Sequence, residues 1–172
     1  FKKLGSIGKE YFGTDRIRIL DEHRNEVPDG EVGELFYRTP MLFKEYLKEP
    51  EKTKEAFEGE WSSAGDMAMR DRDGYYYLVD RKANMIITGG ENVYPSEVET
   101  VVAAHEAVKD IAVIGVPDNK WGEAIKAVVV LHDGYQPGDG LGEEMIEFTR
   151  GKLTGFKRPK SIEFIKDEEM PR

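Results

Sequence analysis

Cysteine is absent from these 172 residues, so neither a disulfide framework nor a thiolate metal site is available, and a reducing compartment is favoured. Histidine is scarce. His23, His105 and His132 lie far apart and form no metal-ligand spacing. No apolar run approaches the ~20 residues that span a bilayer, and no secretory leader is visible, so no transmembrane segment is expected. An excess of positive charge is missing as well. Lys and Arg number 25 against 34 Asp and Glu, a net charge of −9, which argues against nucleic acid or an anionic membrane surface as a partner. The same charge repels an anionic small molecule unless basic side chains gather locally. Repeats and low-complexity tracts are also lacking. What remains is an acidic globular chain, expected to be soluble and cytoplasmic, with length for one domain or two small ones.

Residues 1–80 read mainly as β structure. Arg16-Ile-Arg-Ile-Leu20 and Gly33-Glu-Leu-Phe-Tyr-Arg38 predict paired strands, with Pro28-Asp-Gly30 as the strongest turn signal between them. Pro50-Glu-Lys-Thr-Lys-Glu-Ala-Phe57 predicts a short helix with Pro at its start and Ala56 and Phe57 facing inward. Segments 61–69 and 75–79 predict a second hairpin through Asp71-Arg-Asp-Gly74, with one buried ring among Tyr75, Tyr76 and Tyr77.

Beyond Arg81 the pattern changes. Met85-Ile-Ile87 predicts a strand, and residues 96–104 a helix capped by Ser96, with Val98, Val101 and Val102 on one face. Strands follow over 111–116 and 124–131, then a helix over 143–153 and a last strand over 161–165. That order predicts an α+β fold: a β-rich, distorted barrel-like first part (1–80), then a small α+β domain (81–172) with helices on one face of a sheet.

Three segments carry chemistry-bearing residues. Asp66 stands in Ser63-Ala-Gly-Asp66, a turn-prone stretch, and Arg81 follows fifteen residues later. Alone, Gly-Asp is a solvated turn and Asp-Arg a surface ion pair worth little. Gly89-Gly90, ahead of Glu91-Asn-Val-Tyr-Pro95, is by itself a hairpin turn. Trp121 lies in a polar loop, where a tryptophan more often caps a core edge than binds a ligand. Gly155-Phe-Lys-Arg-Pro-Lys160 is a basic knot in an acidic chain. It suits a polyphosphate, or a helix C-terminus whose dipole it offsets.

Taken together, the block from Asp80 to Glu99, with Ser63-Ala-Gly-Asp66 before it, resembles the adenylate-forming superfamily, and within it the acyl-CoA synthetases of the fatty-acyl and aryl-acid branch. The likeness runs from Gly5-Ser-Ile-Gly8 to Pro171 and includes Gly33-Glu-Leu35 with Tyr46, although Glu45 stands where that family has Gly. It implies that Asp66 and Arg81 bind the ribose of ATP and acyl-adenylate, with Leu78 under the nucleotide. It also implies that Gly89, Gly90 and Glu91 line a pantetheine tunnel. Trp121 and Phe156 would sandwich the CoA adenine, with Arg158 near its phosphates and Lys157 and Lys160 beside it.

The implied substrates are ATP, CoA and a carboxylic acid, with Mg²⁺ accompanying ATP, and the implied partner is an N-terminal domain of the same protein. Departures matter too. The phosphate-cradling loop and the acyl pocket have no counterpart here. Pro171-Arg172 resembles the opening of the family's lysine motif, so the catalytic lysine is expected beyond Arg172 and no catalytic residue is assigned. Ala83 occupies the hinge position, where Asp or Lys is usual, leaving Lys82 or Asn84 to supply polar contacts. Rival readings are a peptide-synthetase adenylation domain, a luciferase-like enzyme, or a non-catalytic nucleotide-binding module.

Overall fold

A computed structural model describes residues 3–10 and 16–170. Pro171 and Arg172, where the opening of a lysine motif is expected, lie outside the described residues. The chain divides into two compact units, one ending at Ala83 and the other beginning at Asn84.

The first unit contains β1 (Ile17–Leu20), β2 (Val32–Tyr37), α1 (Pro50–Ala56), β3 (Phe57–Glu58), β4 (Trp61–Arg70) and β5 (Tyr76–Arg81). Its antiparallel sheet has the order β1-β2-β4-β3, and β5 also pairs with β4. Ile19, Ala68 and Tyr76 form the small core of this unit, Tyr76 being the one buried ring of the tyrosine triplet. Gly33 is required by packing rather than by φ. A Cβ there would lie 2.6 Å from the Leu20 carbonyl oxygen, a backbone atom that cannot swing aside. Proline begins α1 as expected, but the helix stops at Ala56, because Phe57 is extended and pairs with Ser62.

The second unit contains β6 (Ile86–Thr88), β7 (Glu91–Val93), α2 (Pro95–Val102), β8 (Val108–Asp118), β9 (Gly122–Leu131), α3 (Asp139–Phe148) and β10 (Ser161–Phe164). The sheet order is β10-β9-β6-β7, with β8 antiparallel to β9 along its whole length. β10 runs parallel to β9, and α3 makes the crossover that a parallel pair demands. Val98 and Val102 of α2 and Met145 of α3 enter one core with Val113, Ile125, Ala127 and Val129 of the sheet. The architecture is therefore α+β.

Three expectations need correction. Ser96 does not cap α2: the cap position is Tyr94 and Pro95 opens the helix, so Ser96 lies inside its first turn. α3 begins at Asp139, four residues early, and ends at Phe148, because Gly151 takes a left-handed φ of 74° and Arg150 bridges Leu153 instead. β7 was not expected, since three residues opening with Glu91-Asn92 carry little strand signal.

Candidate functional site

Asp66 sits within β4, not in a turn, and its display depends on the residues before it. Glu34 pairs with Met67 and Phe36 with Ser63, so Ala64, Gly65 and Asp66 together oppose one residue of β2. Gly65 has φ 76°, and its N–H is accepted by the Ser63 hydroxyl at 3.0 Å. A bulge of this kind re-aims the next side chain, and its central residue here takes a positive φ that suits glycine. Ser63-Ala-Gly-Asp66 is thus a bulge that presents a carboxylate.

Across the ladder, Asp66 faces Arg81. The Arg81 Nε donates to Asp66 Oδ1 at 2.9 Å, and the guanidinium also reaches the Ala64 carbonyl at 3.2 Å. The Arg81 side chain is 62% exposed and that of Asp66 25%. A carboxylate has about four lone-pair sites, so the pair can take a diol while holding its own geometry. Leu78, expected beneath a nucleotide, is half exposed.

Lys82 follows directly and donates to Glu34 Oε2 at 2.8 Å. Burial is the largest influence on Glu34 and pushes its pKa up, but bonds from Lys82 and Ser63 and the charges of Lys82 and Arg24 hold it below the usual range. Of the two residues expected to serve the hinge, Lys82 is therefore tied into the first unit. Ala83 is exposed in a short 3-10 turn and is the last residue of that unit.

In the second unit, Gly89 and Gly90 form the two-residue turn of the β6–β7 hairpin, with φ of 62° and 85°. Positive φ at both positions is what a type I′ hairpin turn demands. Gly89 also packs on Trp121: a Cβ there would meet the six-membered half of the indole at 2.8 Å. Its N–H donates to the Trp121 carbonyl at 2.8 Å. The Trp121 loop is itself fixed. Asp118 Oδ1 accepts the Lys120 and Trp121 amides at 2.8 and 2.9 Å, and those bonds, Trp121's the larger, hold its carboxyl below the ordinary carboxylate range. Trp121 remains 43% exposed, with the Lys120 ammonium 4.5 Å from the ring centroid.

Two cations of the basic knot are already partnered. Arg158 donates to the Ile146 carbonyl at 2.9 Å and the Thr149 hydroxyl at 3.1 Å, closing the C-terminal end of α3. Lys157 pairs with Glu97 at 2.7 Å. Phe156 is 39% exposed. Among the described residues Trp121 and Phe156 make no ring–ring contact, and no cluster of His, Asp and Glu fit to hold a metal ion forms. No described helix is long and apolar enough to cross a membrane.

The structure thus brings Asp66 to Arg81 in one unit and Gly89 to Trp121 in the other. The sequence reading missed Glu34, which accepts Lys82 beside Arg81, and Glu123, which accepts the Ile87 amide near Gly89. The only signal for Glu123 was its position two residues after Trp121.

Comparison with known proteins gives a consistent picture. Residues 97–172 match the AMP-binding enzyme C-terminal domain. A feruloyl-CoA synthase of an Amycolatopsis species is 45% identical over 163 residues, 95% of this chain and 32% of the relative. A long-chain-fatty-acid–CoA ligase of Salmonella typhimurium is 42% identical over 168 residues, 98% of this chain and 29% of the relative. Among solved structures, o-succinylbenzoate CoA synthetase from Bacillus subtilis, in complex with its acyl-adenylate intermediate, superimposes with a TM-score of 0.83 at 33% identity, over 99% of this chain and 34% of its own. An amide bond synthetase from Marinactinospora thermotolerans gives 0.80 at 34% identity, over 94% of this chain and 32% of its own. The chain spans about a third of the length of the relatives it matches.

Proposed function

Since residues 97–172 belong to the family of AMP-binding enzyme C-terminal domains, we propose that this chain is the nucleotide-clamping and CoA-binding portion of an ATP-dependent acyl-CoA synthetase. The parent reaction converts a carboxylate and ATP to acyl-adenylate and pyrophosphate, then exchanges AMP for the CoA thiol. Asp66 and Arg81 hold the ribose diol, Asp66 as acceptor and Arg81 as donor. Residues up to Ala83 form the β-rich end of a larger adenylation domain, and those from Asn84 a mobile domain pivoting at Ala83, so that the boundary lies three residues beyond the expected 80/81 and Arg81 stays with Asp66. Mg²⁺ enters with ATP and takes no ligand from the described residues. The protein works in the cytoplasm.

One observation carries this reading: the Asp66–Arg81 pair, preformed across two strands by two separate bulges. A mere surface ion pair needs neither irregularity. For CoA, the fit is uneven. The exposed faces of Trp121 and Phe156 suit an adenine, and the Gly89–Gly90 turn leaves room for a chain passing close to backbone. Arg158 fits a phosphate less well, because its guanidinium is spent on α3. Fold likeness alone does not choose the acceptor, since one similar structure is an amide bond synthetase. The exposed Trp121 ring is what supports CoA as the acceptor.

The test is a CoA titration by calorimetry with Trp121→Ala as the control. Saturable binding weakened about tenfold in the variant supports a CoA acceptor, aromatic stacking on a base being worth about 1–3 kcal/mol. Binding indifferent to Trp121 contradicts it. The isolated chain is expected to form no acyl-CoA.

A further inference from the structure

The β6–β7 hairpin, whose tip is Gly89-Gly90, is held to the rest of its unit by few bonds. Its strand pairing to β9 is a single position, Thr88 opposite Gly122. The Gly89 N–H bonds the Trp121 carbonyl. Ile86 and Val93 anchor the far end of the hairpin in the core, and nearer the tip a side chain adds a tether: Glu123 Oε2 accepts the Ile87 N–H at 2.7 Å. That carboxylate gets there by lying over Gly115, where a Cβ would stand 2.7 Å from Glu123 Oε1. Three consecutive residues, Trp121, Gly122 and Glu123, therefore grip three consecutive residues of the hairpin, Ile87, Thr88 and Gly89.

We infer that Glu123 is a positioning residue for CoA: it latches the hairpin so that Gly89 seats against the Trp121 indole, making the pantetheine-facing turn and the adenine-facing ring one rigid body. This rests on the proposed role of Trp121; the latch itself does not. The physical case has three parts. An amide bonded to a carboxylate is a charge-assisted contact of short length, stronger than a neutral one. Ile87 turns its side chain outward, being 50% exposed between the buried Ile86 and Thr88, so packing adds little hold there. Lastly, Gly89 and Trp121 are too close for any side chain larger than hydrogen, so a hairpin displaced by a bond's length no longer supports the ring. A ligand touching both the turn and the indole gains from having their spacing fixed before it binds.

The test compares Glu123→Ala and Glu123→Gln in the whole chain, with amide hydrogen exchange at Ile87 and Gly89, the Trp121 indole resonance, and CoA affinity as readouts. In Glu123→Ala, exchange at Ile87 and Gly89 accelerates about tenfold, the indole resonance shifts, and CoA binding weakens several-fold. Glu123→Gln keeps an acceptor oxygen and restores most of each. Unchanged exchange at Ile87 in a folded Glu123→Ala chain overturns the latch. Accelerated exchange with unaltered CoA affinity overturns the positioning role while leaving the latch. If Trp121→Ala also leaves CoA affinity unaltered, the proposed CoA site fails, and the positioning role with it.

Discussion

Asp66 faces Arg81 because β5 carries one extra residue. From the turn outward, Arg70 pairs with Tyr76, Met69 with Tyr77 and Ala68 with Leu78; then the register shifts, and Met67 pairs with Asp80. Continued without that bulge, the ladder would set Asp66 opposite Asp80, two carboxylates where like charges repel. The single skipped residue, Val79, converts a repulsive pair into an ion pair of 2.9 Å. On the other side of β4, the Gly65 bulge turns Asp66 toward its partner. A pair assembled from two irregularities is costly to reach by chance, and bulges gather where a side chain must be aimed.

Gly65→Ala tests that aiming. The backbone φ of 76° strains any residue with a Cβ, although open space surrounds the site. The expected cost is about 1 kcal/mol of stability, read as a lowered urea midpoint, together with loss of the Asp66–Arg81 contact. An alanine variant as stable as the parent, with that contact kept, would show that the bulge is not needed.

Gly33→Ala is predicted to be worse, and for a different reason. Its φ is ordinary, but its Cβ would meet the Leu20 carbonyl oxygen at 2.6 Å and Ile19 Cγ2 at 2.8 Å. Separating β1 from β2 to admit it costs about 1–3 kcal/mol. Denaturant unfolding of the first unit measures this, with Gly59→Ala, where nothing lies within 4 Å, as a strain-only comparison.

Asp71 sets a pH dependence. It accepts Lys3 Nζ at 2.6 Å, the amides of Asp73 and Tyr75, and the Tyr77 hydroxyl, so it organises the β4–β5 turn from which the Asp66–Arg81 register is counted. The bond from Lys3 and that from the Tyr75 amide hold its pKa down to about 2. Because the folded value lies below the unfolded one, this contribution is fully present above about pH 4 and is lost as the pH falls toward 2. Near-ultraviolet circular dichroism of the tyrosines is expected to change over that window, and Asp71→Asn to abolish the step. A step that survives the substitution would assign it to another carboxylate.

Lys82→Ala removes the principal donor to Glu34, whose side chain is only 12% exposed. Arg24 remains, at 3.5 Å. The variant should be less stable by about 1 kcal/mol, the half-exposed lysine being screened by solvent. It should also raise the Glu34 pKa, seen in its side-chain carboxyl resonance. Since Glu34 is depressed in the folded chain, the stability it adds lies above its unfolded pKa and fades as the pH drops. An unmoved Glu34 resonance would contradict the assignment of Lys82 as its anchor.

Much of this was legible in the residues. The alternation in β1 and β2, the Pro28-Asp29-Gly30 turn and the valine face of α2 follow from period and turn chemistry alone. Asp66 and Arg81 could be named as a pair but not placed as one, because a bulge leaves no mark in alternation; only Gly65 hinted at it. Ser96 misled because a serine after Pro95 resembles a cap, while proline at the first helical position had already fixed the start. Arg158 was assigned to a phosphate on the strength of the resemblance, whereas the other partner weighed for the basic cluster, a helix C-terminus, is the one it meets at the end of α3. Glu123 passed unread, since a glutamate opening a strand reads as solvated until the fold brings Ile87 beside it.

The most direct test of the account uses the complete natural protein that contains these residues. Carboxylate-dependent exchange of labelled pyrophosphate into ATP should be measured in that protein and in its Asp66→Ala variant. The account predicts exchange with a fatty or aryl carboxylate, and a KM for ATP raised at least tenfold by the variant, a bond to a charged acceptor being worth about 1.5–3 kcal/mol. Exchange that proceeds with the same KM for ATP in both would remove Asp66 from the nucleotide site and contradict the central claim.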